Sequence, residues 1–237
     1  MRLCRPIGPS ALVWVLTLAA SALTAPAPPQ TILHGHHDAF YDPRIGGGSM
    51  TTRVSRIPWP GEPLNVIVSG HSHPSVLSER GLLAWAASLR FEPECAGLHF
   101  GEPQRAALGD GHGWLDEQLE IRQARFLPVV GTCIESVLGG NHFRAWNQTG
   151  SLADSGAWFL AVSEELNAAR GHAIVPNGFD RGRDTFVALA VPSSSWQGRR
   201  WRTTVEWIDG LLAPCSHCLN HRLGTDGRVA LLTVHPA

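Results

Sequence analysis

Gly139-Gly140-Asn141-His142-Phe143-Arg144-Ala145-Trp146, then the apolar run at 157–162, then Gly178-Phe179-Asp180-Arg181-Gly182-Arg183-Asp184: the reading of these three pieces decides the fold. On an extended strand, residues two apart share a face, so His142, Arg144 and Trp146 point one way and Phe143 and Ala145 the other. Residues 157–162 are apolar at every position, the pattern of a central strand covered on both sides. After the turn Pro176-Asn177-Gly178 a helix is expected to start at Asp180, whose carboxylate would cap its exposed amides, and to run through 185–191.

Outward from this stretch, residues 64–69 and 229–234 read as further strands, 201–208 as another, and 74–91 as a helix with Val76, Leu77, Leu83, Ala84, Ala87 and Leu89 available to a core. Residues 114–126 show a charged helical pattern, with Leu115, Leu119 and Ile121 or Arg122 about one turn apart. Residues 193–195 read as a short linker. The fold class expected is α+β, a single domain built on a mixed or antiparallel sheet with about three helices. The sheet should include 64–69, 141–146, 157–163 and 229–234.

The first 22 residues have the form of a secretory signal: Arg2 and Arg5, an apolar run at 11–20 too short to span a bilayer, and Ala20-Ser21-Ala22 as a cleavage site. Residues 23–56 are rich in Pro, Gly and His, lack periodicity, and are expected to form a poorly ordered lead-in to a domain over 57–237. A secreted, extracellular protein without a stable membrane span follows as the expectation. Net charge is −1, which gives no field to attract nucleic acid or an anionic membrane. All 19 basic residues are arginine, which excludes Schiff-base chemistry and a phosphate-loop lysine.

Removal of the signal takes Cys4 and leaves Cys95, Cys133, Cys215 and Cys218. An oxidising compartment favours two disulfides, and proximity in sequence favours Cys95–Cys133 and Cys215–Cys218 among the three possible pairings. Closing the longer loop contributes about 4 kcal/mol in the chain-entropy treatment. Asn147-Gln148-Thr149 is an N-glycosylation sequon, expected in the polar connection after the first strand of the stretch.

Three motifs imitate metal or catalytic signatures. His34-Gly35-His36-His37-Asp38 has zinc-ligand spacing but too few residues before it for the strands such a site requires. Gly70-His71-Ser72-His73-Pro74 resembles a serine elbow, yet Pro74 stands where glycine is needed, and a strand-to-helix turn explains it. Cys215-Ser216-His217-Cys218 with His221 has zinc-binding types, but secretion favours a disulfide. No metal and no cofactor is expected.

The order of motifs, 64–70, 139–146, 156–163 and 178–184, resembles the domain found at the C-terminus of LssY-type membrane proteins. It is closer still to uncharacterised secreted basidiomycete proteins that carry this domain alone. The resemblance covers roughly residues 60–190, with Asn220-His221 and 226–234 fitting the fungal group, and implies a domain without an established activity.

Two functional readings follow. In one, Arg144, Arg183 and Asp180 form a site for a small anionic ligand, with helix amides near Asp180 adding donors. A hydrolytic version of that site makes His142 the acid or base and Asp184 its orienting carboxylate. In the other, these residues are structural: the histidine and arginine satisfy buried groups, Asp180 caps and Asp184 pairs with an arginine. A binding or structural extracellular module is preferred to an enzyme. Short connections between successive elements predict that Arg144 lies near Asp180, Arg183 or Asp184.

Overall fold

The computed structural model describes residues 39–52, 61–95, 103–124 and 131–237. The signal, the His34–Asp38 motif and most of the lead-in lie outside these residues. In chain order the elements are β1 (Val66–Val68), α1 (Pro74–Leu77), α2 (Glu79–Ser88), β2 (Phe91–Pro93), β3 (Arg105–Ala106), β4 (Leu115–Asp116), β5 (Leu119–Gln123) and α3 (Gly131–Leu138). There follow β6 (Gly140–Gly150), β7 (Ala153–Glu165), α4 (Gly178–Ala190), β8 (Ser193–Trp196), β9 (Arg199–Ile208) and β10 (Val229–Pro236).

Eight strands make one mixed sheet in the order β2-β5-β6-β7-β1-β10-β9-β8, and β3 and β4 pair separately. Only β1 and β10 run parallel; the other neighbours in the large sheet are antiparallel. The chain from Ala39 onward is a single α+β domain, and all four expected strand regions lie in this sheet.

The period of two assigns each strand residue to a core. Trp158, Leu160 and Val162 of β7 join Val66, Val68, Phe143 and Ala145 under α2 and α4, where Trp85, Phe186 and Val187 meet them. Ala157, Phe159 and Ala161 face the opposite side with Ile67, Trp146 and Leu231, and are covered by Ala39, Phe40, Leu108 and Leu212. β7 is therefore buried on both faces, as its unbroken apolar run requires. Phe186 is central to the first core: its ring lies 5.2 Å from Phe91, 5.3 Å from Phe143 and 5.7 Å from Trp85, all edge-on.

α4 rides directly on the backbone of β7. A Cβ on Gly182 would stand 2.6 Å from the carbonyl carbon of Ser163, and one on Gly178 would stand 2.7 Å from the Glu164 carbonyl oxygen. The i,i+4 glycine pair therefore lets the helix approach where any side chain would hold it off. Asn65, fully buried, ties the same region together. Its Nδ2 donates to the carbonyls of Val162 and Phe179, and its Oδ1 accepts from Val162 N.

Several expectations change. The helix expected over 114–126 is not formed at 114–124, the part within the described residues: 115–116 and 119–123 are strands, and Ile121 packs into the first core while Glu120 and Arg122 leave the opposite face. The spacing of leucines that suggested a helix hid an alternation in which charged residues occupy a buried face. α3 instead covers 131–138, and Gly139 ends it with φ +82°, its amide bonded to the Glu135 carbonyl. Asp180 is not the cap of α4. Asn177 holds that position, without a side-chain bond, and Asp180 lies in the first turn. Residues 193–195 belong to the edge strand β8 rather than a linker.

The domain also begins earlier than residue 57. Ala39 and Phe40 are buried, with Phe40 edge-on to Phe159 at 5.9 Å. The amide of Gln148 grips the backbone of Tyr41, donating to its carbonyl and accepting from its N–H. One buried glutamine replaces the periodic pattern a sequence reading would look for. At 70–74 the chain makes a strand-to-helix turn, with the His73 ring accepting from Ser75 N at the start of α1.

Both disulfides have the expected pairing. Cys95–Cys133 joins Cα atoms 4.6 Å apart, and Cys215–Cys218 joins Cα atoms 5.9 Å apart. No helix among the described residues is long and apolar enough to cross a membrane.

Candidate functional site

His142 and Arg144 leave β6 on the face opposite α4, beside Glu120 and Arg122 of β5, which are their cross-strand partners. Ser163 and Glu165 of β7 share that face. Loops then bring Glu62, Glu94 and Glu117, and α3 brings Glu135. Arg122 ends 2.9 Å from Glu165, 2.9 Å from Glu120, 3.2 Å from Glu94 and 3.6 Å from Glu135. Arg144 ends 3.0 Å from Glu117, 3.1 Å from Glu120 and 3.4 Å from Glu62. Every one of these side chains is a tenth exposed or less.

Two guanidiniums thus face six carboxylates, and full ionisation would leave a formal charge of −4 in a buried volume. Such charge is costly away from water, so protons should be retained on part of the cluster. Glu165 shows the effect. Burial pushes it up to about 8, against the pull of Arg122 and Arg144. The carboxylates in turn hold both arginines charged, raising them above the ordinary value despite burial.

His142 is fully buried. Its Nε2 lies 2.9 Å from Arg144 Nη1, which can only donate, so Nε2 accepts and the ring proton belongs on Nδ1, 3.3 Å from Ser163 Oγ. Burial first, then Arg144 and Arg122, hold the imidazole well below its usual range. Its basic nitrogen is already engaged by Arg144, and the ring has no exposure to solvent.

Asp180, Arg183 and Asp184 assemble elsewhere, on α4 and the other face of the sheet. Arg183 is 1 % exposed and makes a two-pronged pair with Asp226 at 2.6 and 2.9 Å, with Asp184 on its Nε and the Arg228 carbonyl on Nη1. It also lies over the Trp207 ring at 5.1 Å. Asp180 accepts from Thr225 Oγ1 and Asp226 N, and burial raises its carboxyl. No hydrogen bond or ion pair among the described residues joins Arg144 to Asp180, Arg183 or Asp184.

The expected shared site is therefore two sites, each closed by its own carboxylates. His142 pairs with Arg144, Ser163 and Glu165 rather than Asp184. The short connection brings α4 close to β7, but places it across the sheet from the His142–Arg144 face. What sequence reasoning missed is the convergence of Glu62, Glu94, Glu117, Glu120, Glu135 and Glu165. The one signal for it was the pair Glu120 and Arg122, two apart beside apolar Leu119 and Ile121. A cleft of about 360 Å³ opens beside the network, lined by Glu94, Asp116, Glu117 and Glu120 among others. Among the described residues no group of three or more His, Cys, Asp or Glu has metal-binding geometry.

Asn147 lies within β6, not in a loop, and is 8 % exposed. Its Nδ2, the atom a glycan would occupy, donates to the Gly156 carbonyl at 3.1 Å. Folded protein is expected to carry no sugar at Asn147. Peptide mass mapping of secreted material checks this, and a glycopeptide covering 147–149 would contradict it.

The network also has a pH signature. Glu165 titrates near 4.5 when unfolded and about 8 when folded, so the folded state holds the extra proton between these values. Its contribution is fully present below about 4.5 and is lost as pH rises through about 8. His142 acts oppositely: its folded value is depressed below 6.5, so its contribution is present above 6.5 and falls in acid. In Glu165→Gln, denaturant unfolding should show less loss of stability between pH 5 and pH 8 than the parent shows. An identical pH profile for both proteins would remove Glu165 from this role.

Compared with protein-family models, curated proteins and solved structures, the chain matches none.

Proposed function

We propose that this chain is a secreted extracellular module of LssY C-terminal-like type that acts by binding or as a structural unit, and that its arginine–glutamate–histidine network is the ionic framework holding the sheet, not a catalytic centre. The observation that carries the reading is Arg144, buried and ringed by Glu62, Glu117 and Glu120. Its Nη1 meets Glu62 and His142, its Nη2 meets Glu120 and its Nε lies 3.0 Å from Glu117, so the guanidinium is turned to the protein's own groups and not to a phosphate or carboxylate ligand. The signal-like first 22 residues and the two disulfides support the extracellular assignment.

A second reading, binding of a cationic group in the cleft, is favoured by the carboxylates that line it and by their excess over guanidiniums. Calorimetric titration with phosphate, sugar phosphates and small carboxylates should give no heat of binding, and titration with a polyamine tests the cleft. Saturable phosphate binding abolished by Arg144→Ala would restore the anion site and defeat the proposal.

A further inference from the structure

The Cys215–Cys218 bridge differs from its companion in the length of chain it closes and in what surrounds it. It spans a sequence separation of 3, against 38 for Cys95–Cys133. The cysteines of both bridges are partly exposed. Cys215 lines a cavity of about 440 Å³ together with His217, Arg222, Asp180 and Asn177. Asn177 is the N-cap of the 13-residue α4, so the positive end of that helix opens on the same cavity. The His217 Nδ1 bonds the Arg222 carbonyl, leaving Nε2 available to pass a proton. Asp180 is the opposing negative group, and it is already bonded to Thr225 and the Asp226 amide.

These groups are what a departing thiolate needs: a nearby guanidinium, a helix N-terminus, an imidazole and an open approach. We propose that Cys215–Cys218 is a thiol-exchangeable disulfide, reduced by low-molecular-weight thiols while Cys95–Cys133 and the fold stay intact. An incoming thiolate attacks Cys218 Sγ; the new S–S bond forms as the Cys215–Cys218 bond breaks, and Cys215, which lines the cavity, leaves with the electron pair and takes up a proton. A second thiol then attacks the mixed disulfide at the small molecule's sulfur. The net result is two thiols oxidised to one disulfide and two protein cysteines reduced.

The bridge is coupled to the clamp on α4. Cys215 exchanges both backbone hydrogen bonds with Thr225 at 2.9 Å. Thr225 and Asp226 in turn hold Asp180, and Asp226 holds Arg183. Opening the bridge releases one end of this chain of contacts, so redox state sets how firmly the 211–226 loop grips the helix.

The test is titration of the full secreted protein with reduced glutathione, followed by acid quenching, alkylation and peptide mapping, with a melting curve at each step. Cys215 and Cys218 should be alkylated at a glutathione concentration at least about tenfold below that needed for Cys95 and Cys133. Hydrogen exchange at the Thr225 and Asp226 amides should accelerate on reduction, and the double variant Cys215→Ser/Cys218→Ser should show that faster exchange without any thiol. Simultaneous reduction of both bridges, reduction only on unfolding, or unchanged exchange in the double variant would overturn the proposal.

Discussion

Arg144→Ala is expected to cost about 3–5 kcal/mol of folding stability at pH 7, because it leaves buried carboxylates without their cation. Glu62, Glu117 and Glu120 lie 3.0–3.4 Å from that guanidinium and are each almost wholly buried. Arg144 is also one of the cations that hold the Glu165 carboxyl down against burial, so its removal should push that group up further. Groups shifted upward stabilise at low pH and lose that contribution as pH rises. The deficit of the variant should therefore shrink between pH 7 and pH 5. Urea unfolding at the two pH values measures this. A loss below about 1 kcal/mol, the size of a surface substitution, would mean the arginine is not structural.

Phe186→Ala should cost a similar amount, about 3–5 kcal/mol, by a different route. Phe186 is fully buried and meets Phe91, Phe143 and Trp85 edge-on. The alanine variant loses the transfer free energy of the ring and leaves a cavity between α4, α2 and the sheet. Rigid walls limit collapse into that space, since β7 lies tight against α4 at Gly178 and Gly182. This loss carries no titrating group, so it should be the same at pH 5 and pH 7. The contrast with Arg144→Ala separates packing from charge.

Much of the sheet was legible because apolar runs and alternation speak directly to burial. Residues 157–162 announced a covered strand, and the alternation across 141–146 put His142 and Arg144 on one face. The ionic network was not legible, for two reasons. Its six glutamates come from separate places along the chain, and no local pattern marks them as neighbours. Charged residues at 117, 120 and 122 also look like a solvated helix face, when in the fold they point into a protein interior balanced by opposite charge. Asp180–Asp184 misled in a simpler way. Nearness in sequence to β7 was read as nearness to Arg144, but a sheet has two faces, and α4 lies on the other one. Gln148 and Asn65 show a third limit, since a buried amide that binds backbone looks like any polar residue.

The central claim, that Arg144 is bound into the network as architecture, is tested most directly by a double-mutant cycle with Glu117. Glu117 Oε2 lies 3.0 Å from Arg144 Nε and also accepts from Gln104 N, an acceptor role that glutamine can keep. Unfolding free energies at pH 7 should show Glu117→Gln destabilising the parent. In the Arg144→Ala background, where the charge it removes is uncompensated, the same change should stabilise, giving a coupling of about 1–3 kcal/mol. Additive effects, with Glu117→Gln costing the same in both backgrounds, would contradict the account.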